Sequence, residues 1–187
     1  MPAFTLVDPD NRAAVNFDTA AKQLESIENV TDVAALLAES DGVRAKLYVT
    51  AKLLQLRAAN AQLFASGSYQ PLQVDGEKKD HVFAFSRTYE GETCVVIVPR
   101  WSARLMEGRT GLPIGDIWGD TKVLLGAAIT EELRDELTAQ TARVPSEEGA
   151  LRISEVFSKL PIAVLRSTAA DRKSTRLNSS HRTGSRM

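Results

Sequence analysis

HVFAFSRTYEGETCVVIVPR, residues 81–100, is the stretch that decides the fold class. Val82 and Ala84 alternate with Phe83 and Phe85, so a strand over residues 81–87 is apolar on both faces. A turn around Glu90-Gly91 leads into Cys94-Val95-Val96-Ile97-Val98, a short run rich in β-branched residues. The same texture extends on both sides. Before it, residues 70–74 form a strand and residues 75–80 a polar turn. After it comes a long connection, residues 101–120, containing GLPIGDIWGD, then strands over 121–125, 134–137, 150–153 and 162–166, with a helical turn near 155–160. Several short strands separated by turn residues predict an antiparallel β-sandwich.

Upstream of Gly67 the period changes from two to that of a helix. Asp18 is a candidate N-cap for a helix carrying Leu24 and Ile27 inward. Thr31, followed by Asp32, opens a short helix burying Val33, Leu36 and Leu37, and Asp41-Gly42 breaks it. Val43, Leu47, Ala51, Leu54, Ala58 and Ala61 then fall three and four apart, which predicts a helix of about five or six turns buried on that face. Residues 1–17 have no sustained period and read as a structured loop. No internal repeat is visible. The fold expectation is therefore α+β: a helical segment, residues 1–65, then a sandwich, residues 66–167.

Composition narrows the function classes. Hydrophobic residues make up 43% of the 187 and charged residues 25%, which is globular rather than disordered or collagenous. No run approaches the roughly 18 consecutive apolar residues of a membrane span, and MPAFTLVDPDNR has neither a basic head nor an apolar core of a leader, so no membrane contact is expected. The lone cysteine, Cys94, sits in an apolar run and reads as a small core residue; a cytoplasmic location fits it. The net charge of −1 hides an asymmetry. Residues 171–187 carry five Arg/Lys and one acidic group, and removing that +4 leaves −5 on the body. A basic tail ordinarily suggests nucleic acid. Here DRKSTRLNSSH, residues 171–181, resembles the conceptual translation of a sequencing adapter, so residues 168–187 are expected to be a disordered tail and no nucleic-acid partner is expected; a genuine basic tail is the alternative.

The densest polar constellation is Asp8-Pro9-Asp10-Asn11-Arg12. Its donors and acceptors can grip sugar hydroxyls or can brace one another in a turn. No Cys or His cluster has metal-ligand spacing, and there is no phosphate-cradling loop or nucleophile elbow, so no metal and no cofactor is expected. His81 heads an apolar strand and reads as a hydrogen-bonded structural histidine. Trp101 and Trp118 could stack on a sugar ring or cover a core edge.

LVDPDNR (residues 6–12), DGVRAKLYVTAKLLQLR (41–57), DHVFAFSR (80–87), VVIVPR (95–100) and GDTKVLL (119–125) occur in this order in maltooligosyltrehalose synthases, of the α-amylase superfamily, and the body of this chain resembles them to about residue 166. It departs from that family at Ala13-Ala14, where Arg-Pro is usual, and at Val43, an apparent one-residue insertion. The resemblance implies the carboxyl-terminal fragment of such an enzyme: the closing helices of a (β/α)₈ barrel followed by its sandwich. It implies an isomerase that turns the reducing-end α-1,4 link of maltooligosaccharides into an α,α-1,1 link by intramolecular transglycosylation, in trehalose biosynthesis. The catalytic carboxylates would lie in the missing barrel, on which this piece would pack and through which the maltooligosaccharide would be held. Strand-to-helix loops gather on the catalytic side of such barrels. The resemblance thus makes Asp10, Asn11 and Arg12 candidates for lining or bracing a substrate subsite. Competing readings are a hydrolase of the same superfamily, such as the trehalohydrolase or a glucosidase, and a non-catalytic carbohydrate-binding sandwich, which exposed aromatics in a row would support.

Overall fold

The computed structural model describes residues 17–27, 30, 32–37, 43–126, 129, 131–145 and 149–167. The chain divides into two compact units, Met1–Ala65 and Ser66–Met187. Asp10, Asn11 and Arg12, and the tail from residue 168 onward, lie outside the described residues.

The first unit contains α1 (Phe17–Ile27), α2 (Val33–Leu37) and α3 (Val43–Ala59), and α4 (Ala61–Ser66) leads out of it. Asp18 sits inside the first turn of α1 rather than ahead of it, where its carboxylate still meets the positive helix end. Ile27, Val33 and Leu36 are buried as their spacing predicts, whereas Leu24 is exposed. Arg44 ties the start of α3 to the end of α1, donating from Nε to Ser26 Oγ at 3.2 Å and from Nη2 to Ser26 O at 3.3 Å. The expected buried stripe on α3 is corrected: Tyr48 and Leu56 are buried, while Leu54 is 61% exposed and Ala58 is exposed. Apolar residues lie all round this helix, so periodicity does not choose the face that is covered. The single long helix expected here also breaks at Asn60, whose Nδ2 donates to Leu56 O at 2.8 Å and competes with the helical ladder.

The second unit is a pair of antiparallel sheets, so the chain is mixed helix and antiparallel sheet, as its sequence texture indicates. Its strands are β1 (Ser68–Pro71), β2 (Gln73–Asp75), β3 (Val82–Tyr89), β4 (Glu92–Pro99), β5 (Lys122–Leu124), β6 (Glu131–Asp135), β7 (Thr141–Val144), β8 (Ala150–Arg152) and β9 (Ala163–Ser167). The larger sheet runs β1-β3-β4-β9-β6-β7 and the smaller β2-β5-β8. Glu90 and Gly91 both take positive φ, 49° and 81°, and make the tight turn that sets Tyr89 opposite Glu92. The strand predicted over residues 70–74 is two strands. It breaks at Leu72, and its halves join different sheets, a corner that costs no ladder bond at Leu72 because its N–H donates to Ala84 O at 2.9 Å.

Strand β7 had no sequence signal, because TARV carries no apolar run. It forms by pairing with β6, where Arg143 and Glu132 lie opposite and bridge at 3.1 Å. A short helix, α5 (Ser102–Met106), likewise sits unannounced in the long connection, and α6 (Ile153–Val156) begins two residues earlier than the predicted helical turn.

Side chains from both sheets meet in one apolar cluster: Val82, Ala84, Val95, Ile97 and Leu165 from the larger, Val123 and Leu151 from the smaller. The GLPIGDIWGD loop plugs this core. Trp118, on a 3₁₀ turn over Gly115–Trp118, is fully buried, packs edge-on against Phe157 at 5.4 Å and donates from Nε1 to Pro113 O at 2.8 Å. Thr121, also fully buried, accepts the Lys78 N–H at its hydroxyl. Gly76, at φ +102°, lies so close that a Cβ there would sit 2.7 Å from Thr121 Cα, which is why this turn needs glycine. Among the described residues, no helix is long and apolar enough to cross a membrane.

The plug yields a graded expectation. Trp118→Ala should lower stability by about 3–5 kcal/mol through the cavity it leaves. Trp118→Phe should cost about 1–2 kcal/mol, since it fills much of the space and strands the buried Pro113 carbonyl. Urea unfolding followed by circular dichroism measures both, and equal costs for the two would show that the hydrogen bond, not the volume, carries the site.

Candidate functional site

Asp10, Asn11 and Arg12 are outside the described residues, so the structure neither gathers nor separates them. Among the described residues, no group of three His, Cys, Asp or Glu could hold a metal ion. Cys94 is fully buried, and burial pushes its thiol up to about 11, with Arg166 and Arg87 pulling it down and Glu136 pushing it up. At neutral pH it is a protonated core residue and no nucleophile. His81 differs from its expected role. Its buried Nδ1 has no hydrogen-bond partner among the described residues, and its ring meets Trp101 edge-on at 6.4 Å.

Two places on the second unit concentrate chemistry. The first is a cleft of about 280 Å³ beside β6 and β7, lined by Asp135, Gln140, Arg143, Leu151 and Glu155 among others. Asp135 is buried at the end of β6. Its Oδ1 accepts the N–H groups of Leu137 and Val164, each at 3.2 Å, and its Oδ2 accepts the Thr138 hydroxyl at 2.5 Å. Burial raises its pKa above the ordinary carboxylate value of 3.8, while the Thr138 hydroxyl and the backbone N–H donors act the other way. With both oxygens committed, this carboxylate braces the β6–β7 turn and fastens it to β9 rather than facing a substrate.

The second is a row of rings on the face of the larger sheet turned away from the inter-sheet core. Val82, Ala84 and Ser86 point into the protein, so Phe83 and Phe85 stand on the opposite face of β3. Both faces are apolar, as predicted, but only one is buried: Phe83 is 43% exposed. From β1, Tyr69 joins Phe85 with ring centroids 5.1 Å apart and planes tilted by 33°, and Phe85 meets Phe83 at 5.9 Å and 50°. His81, two residues before Phe83 in the chain, pairs with Trp101, a second pair of rings that follows on from the three. Trp101 is 57% exposed, and the Arg100 guanidinium lies over it at 4.2 Å while Arg100 Nε donates to Asp80 O at 2.6 Å. The two tryptophans thus divide, Trp118 to the core and Trp101 to the surface. Alternation in residues 82–85 announced one outward face, but nothing in the sequence said that face would stay uncovered.

The first unit offers an apolar cleft of about 570 Å³ between α1 and α3, lined by Leu24, Leu47, Tyr48, Ala51 and Leu54 among others. It holds no paired carboxylates.

No family model matches the chain. Two curated relatives, from two strains of Mycobacterium tuberculosis, are each 30% identical to it over 165 residues, and both carry the provisional designation maltooligosyl trehalose synthase. The similarity to that family anticipated from the motifs is borne out by these relatives. The match takes in 86% of this chain but 17% of each relative, so the chain spans about a sixth of their length.

Asp135 provides a test with a sign. A carboxylate whose folded pKa is raised favours the fold while protonated, and that contribution is lost as pH climbs from 3.8 through the raised value. Asp135→Asn keeps an acceptor for Leu137 and Val164 and cannot ionise. The stability of the native protein relative to this variant should therefore fall as pH rises across that window, in urea titrations at a series of pH values. Asp135→Ala, which strands two backbone donors, should cost about 2–3 kcal/mol at every pH.

Proposed function

We propose that this chain is a portion of an enzyme that converts the reducing-end α-1,4 link of maltooligosaccharides into an α,α-1,1 link by intramolecular transglycosylation, an isomerase of trehalose biosynthesis in the α-amylase superfamily. The observation that carries this reading is the 165-residue match, which is too long to fall within either unit and so joins the helical and sandwich parts in one relative. In this reading the helices of the first unit close a (β/α)₈ barrel, and the sandwich follows it at the carboxyl-terminal end. The uncovered cleft between α1 and α3, with Leu54 largely exposed, supports it, since large apolar patches mark surfaces built to be covered. The rest of the barrel is the cover, and the compartment is the cytoplasm.

Retention of anomeric configuration calls for a carboxylate nucleophile and a separate acid/base about 5–5.5 Å apart. These belong to earlier strands of the barrel, outside this chain. Asp135 is no substitute, because its oxygens are spent on Leu137, Thr138 and Val164. On this reading residues 1–17 would follow the eighth strand on the catalytic side, where Asp10, Asn11 and Arg12 would present acceptor, amide and guanidinium groups to sugar hydroxyls. Closing the pocket against water would favour rejoining over hydrolysis, and on this reading the loop would contribute to that closure. The substrate is held through the absent barrel, and no metal, cofactor, nucleic acid or membrane enters the reaction.

The purified chain incubated with maltopentaose should form no trehalose-ended product detectable by chromatography of the non-reducing oligosaccharides. Product formation would refute the assignment of the carboxylates to another part of the enzyme.

A further inference from the structure

The row of rings is left without a role by the reading above. We propose that Tyr69, Phe85, Phe83, His81 and Trp101 form a binding track for an α-1,4-glucan chain on the outer face of the larger sheet, apart from the catalytic pocket; the choice of glucan rests on the proposed function.

Four observations point this way. Among the described residues from 66 onward, the large apolar side chains that are exposed are Tyr69, Phe83, Trp101 and Leu112, and three of these four belong to the row. Rings thus outnumber aliphatic chains among these exposed residues, and a ring offers the flat face that packs on the C–H face of a pyranose. Successive centroids at 5.1 and 5.9 Å place the rings about one sugar apart. Their planes are tilted by 33° and 50° to one another, so the three rings are not coplanar. Rings that are not coplanar suit the curving α-1,4 chain better than a flat β-1,4 ribbon.

The fourth observation is polar. Arg100 is fixed at the end of the row by its stack on Trp101 and its bond to Asp80 O, and a guanidinium with five N–H donors keeps others for hydroxyl oxygens. Its charge is shared with an aromatic face and a carbonyl, which matches a neutral ligand rich in acceptors better than an ionic one. Tyr69, Phe83 and Phe85 are held on paired strands and are pre-positioned, so a glucan loses little by ordering them.

The 187-residue chain should be retarded on native gels containing glycogen. Titration with maltoheptaose should quench Trp101 emission, because Trp118 is shielded in the core. Phe83→Ala and Trp101→Ala should each weaken binding by about tenfold, and cellohexaose should bind weaker than maltoheptaose by a similar factor. Leu112→Ala, exposed elsewhere, should change nothing. Each altered side chain is substantially exposed, so the circular dichroism spectra should match the native one. Unretarded native protein overturns the proposal. So does retardation indifferent to both ring substitutions, an equal response to cellohexaose, or self-association abolished by Phe83→Ala, which would make a second copy the occupant. Trehalose-end formation by the chain alone would strike the reading of catalysis and not this one, while a loss of glycogen binding would strike only this one.

Discussion

Everything in the second unit depends on the insertion of β9 between two hairpins that would otherwise be separate. Strand β4 has β3 on one side and needs a partner on the other, and β6 is in the same position beside β7. The segment Ala163–Ser167 supplies both edges at once, pairing Val95 with Leu165 and Asp135 with Leu165 across its two sides. Unpaired strand edges are costly when buried, so the larger sheet exists only once this late strand is in place. Asp135 reinforces the junction by accepting the Val164 N–H, at the price of burying a carboxylate. Arg166 adds a looser tie, reaching Glu92 at 3.8 Å and Glu136 at 3.4 Å from either side of the strand.

The plug around Trp118 answers a different need. The smaller sheet has three short strands and cannot by itself cover the inner face of six. The Gly- and Pro-bearing connection fills the remaining space with an indole and is pinned at its far end by the Gly115 N–H donating to Phe157 O at 2.9 Å. A core closed in this way leaves the opposite face of the larger sheet as a stiff support, and the ring row stands on it. Cys94 and Val164 alternate with the core residues Val95 and Leu165 and are themselves buried, so part of that opposite face is covered and the ring row is the barer part.

The two units treat their apolar surface differently. In the sandwich, alternation sends most apolar residues to a covered face. The helices of the first unit instead carry apolar residues on more than one side, and the cleft between α1 and α3 remains open. Relatives about six times as long as the match give this openness a ready explanation under the proposed function.

Much of this was legible in the sequence because it is written in local chemistry. Period-two alternation in residues 82–85, the Glu90-Gly91 turn and the β-branched run after it specify strands wherever they occur. The helices, the burial of Cys94 and the resemblance through LVDPDNR and DHVFAFSR were likewise readable from residue order. The tertiary structure decided what local chemistry cannot carry. Strand β7 exists through its partner and not through its own residues. The strand expected over residues 70–74 splits because its halves answer to two sheets, and α3 buries Tyr48 in preference to Leu54 because of where α1 and α2 lie. Alternation defined two faces on β3; which was core and which was surface depended on the position of the second sheet, since a side chain is buried by its neighbours and not by its own hydrophobicity.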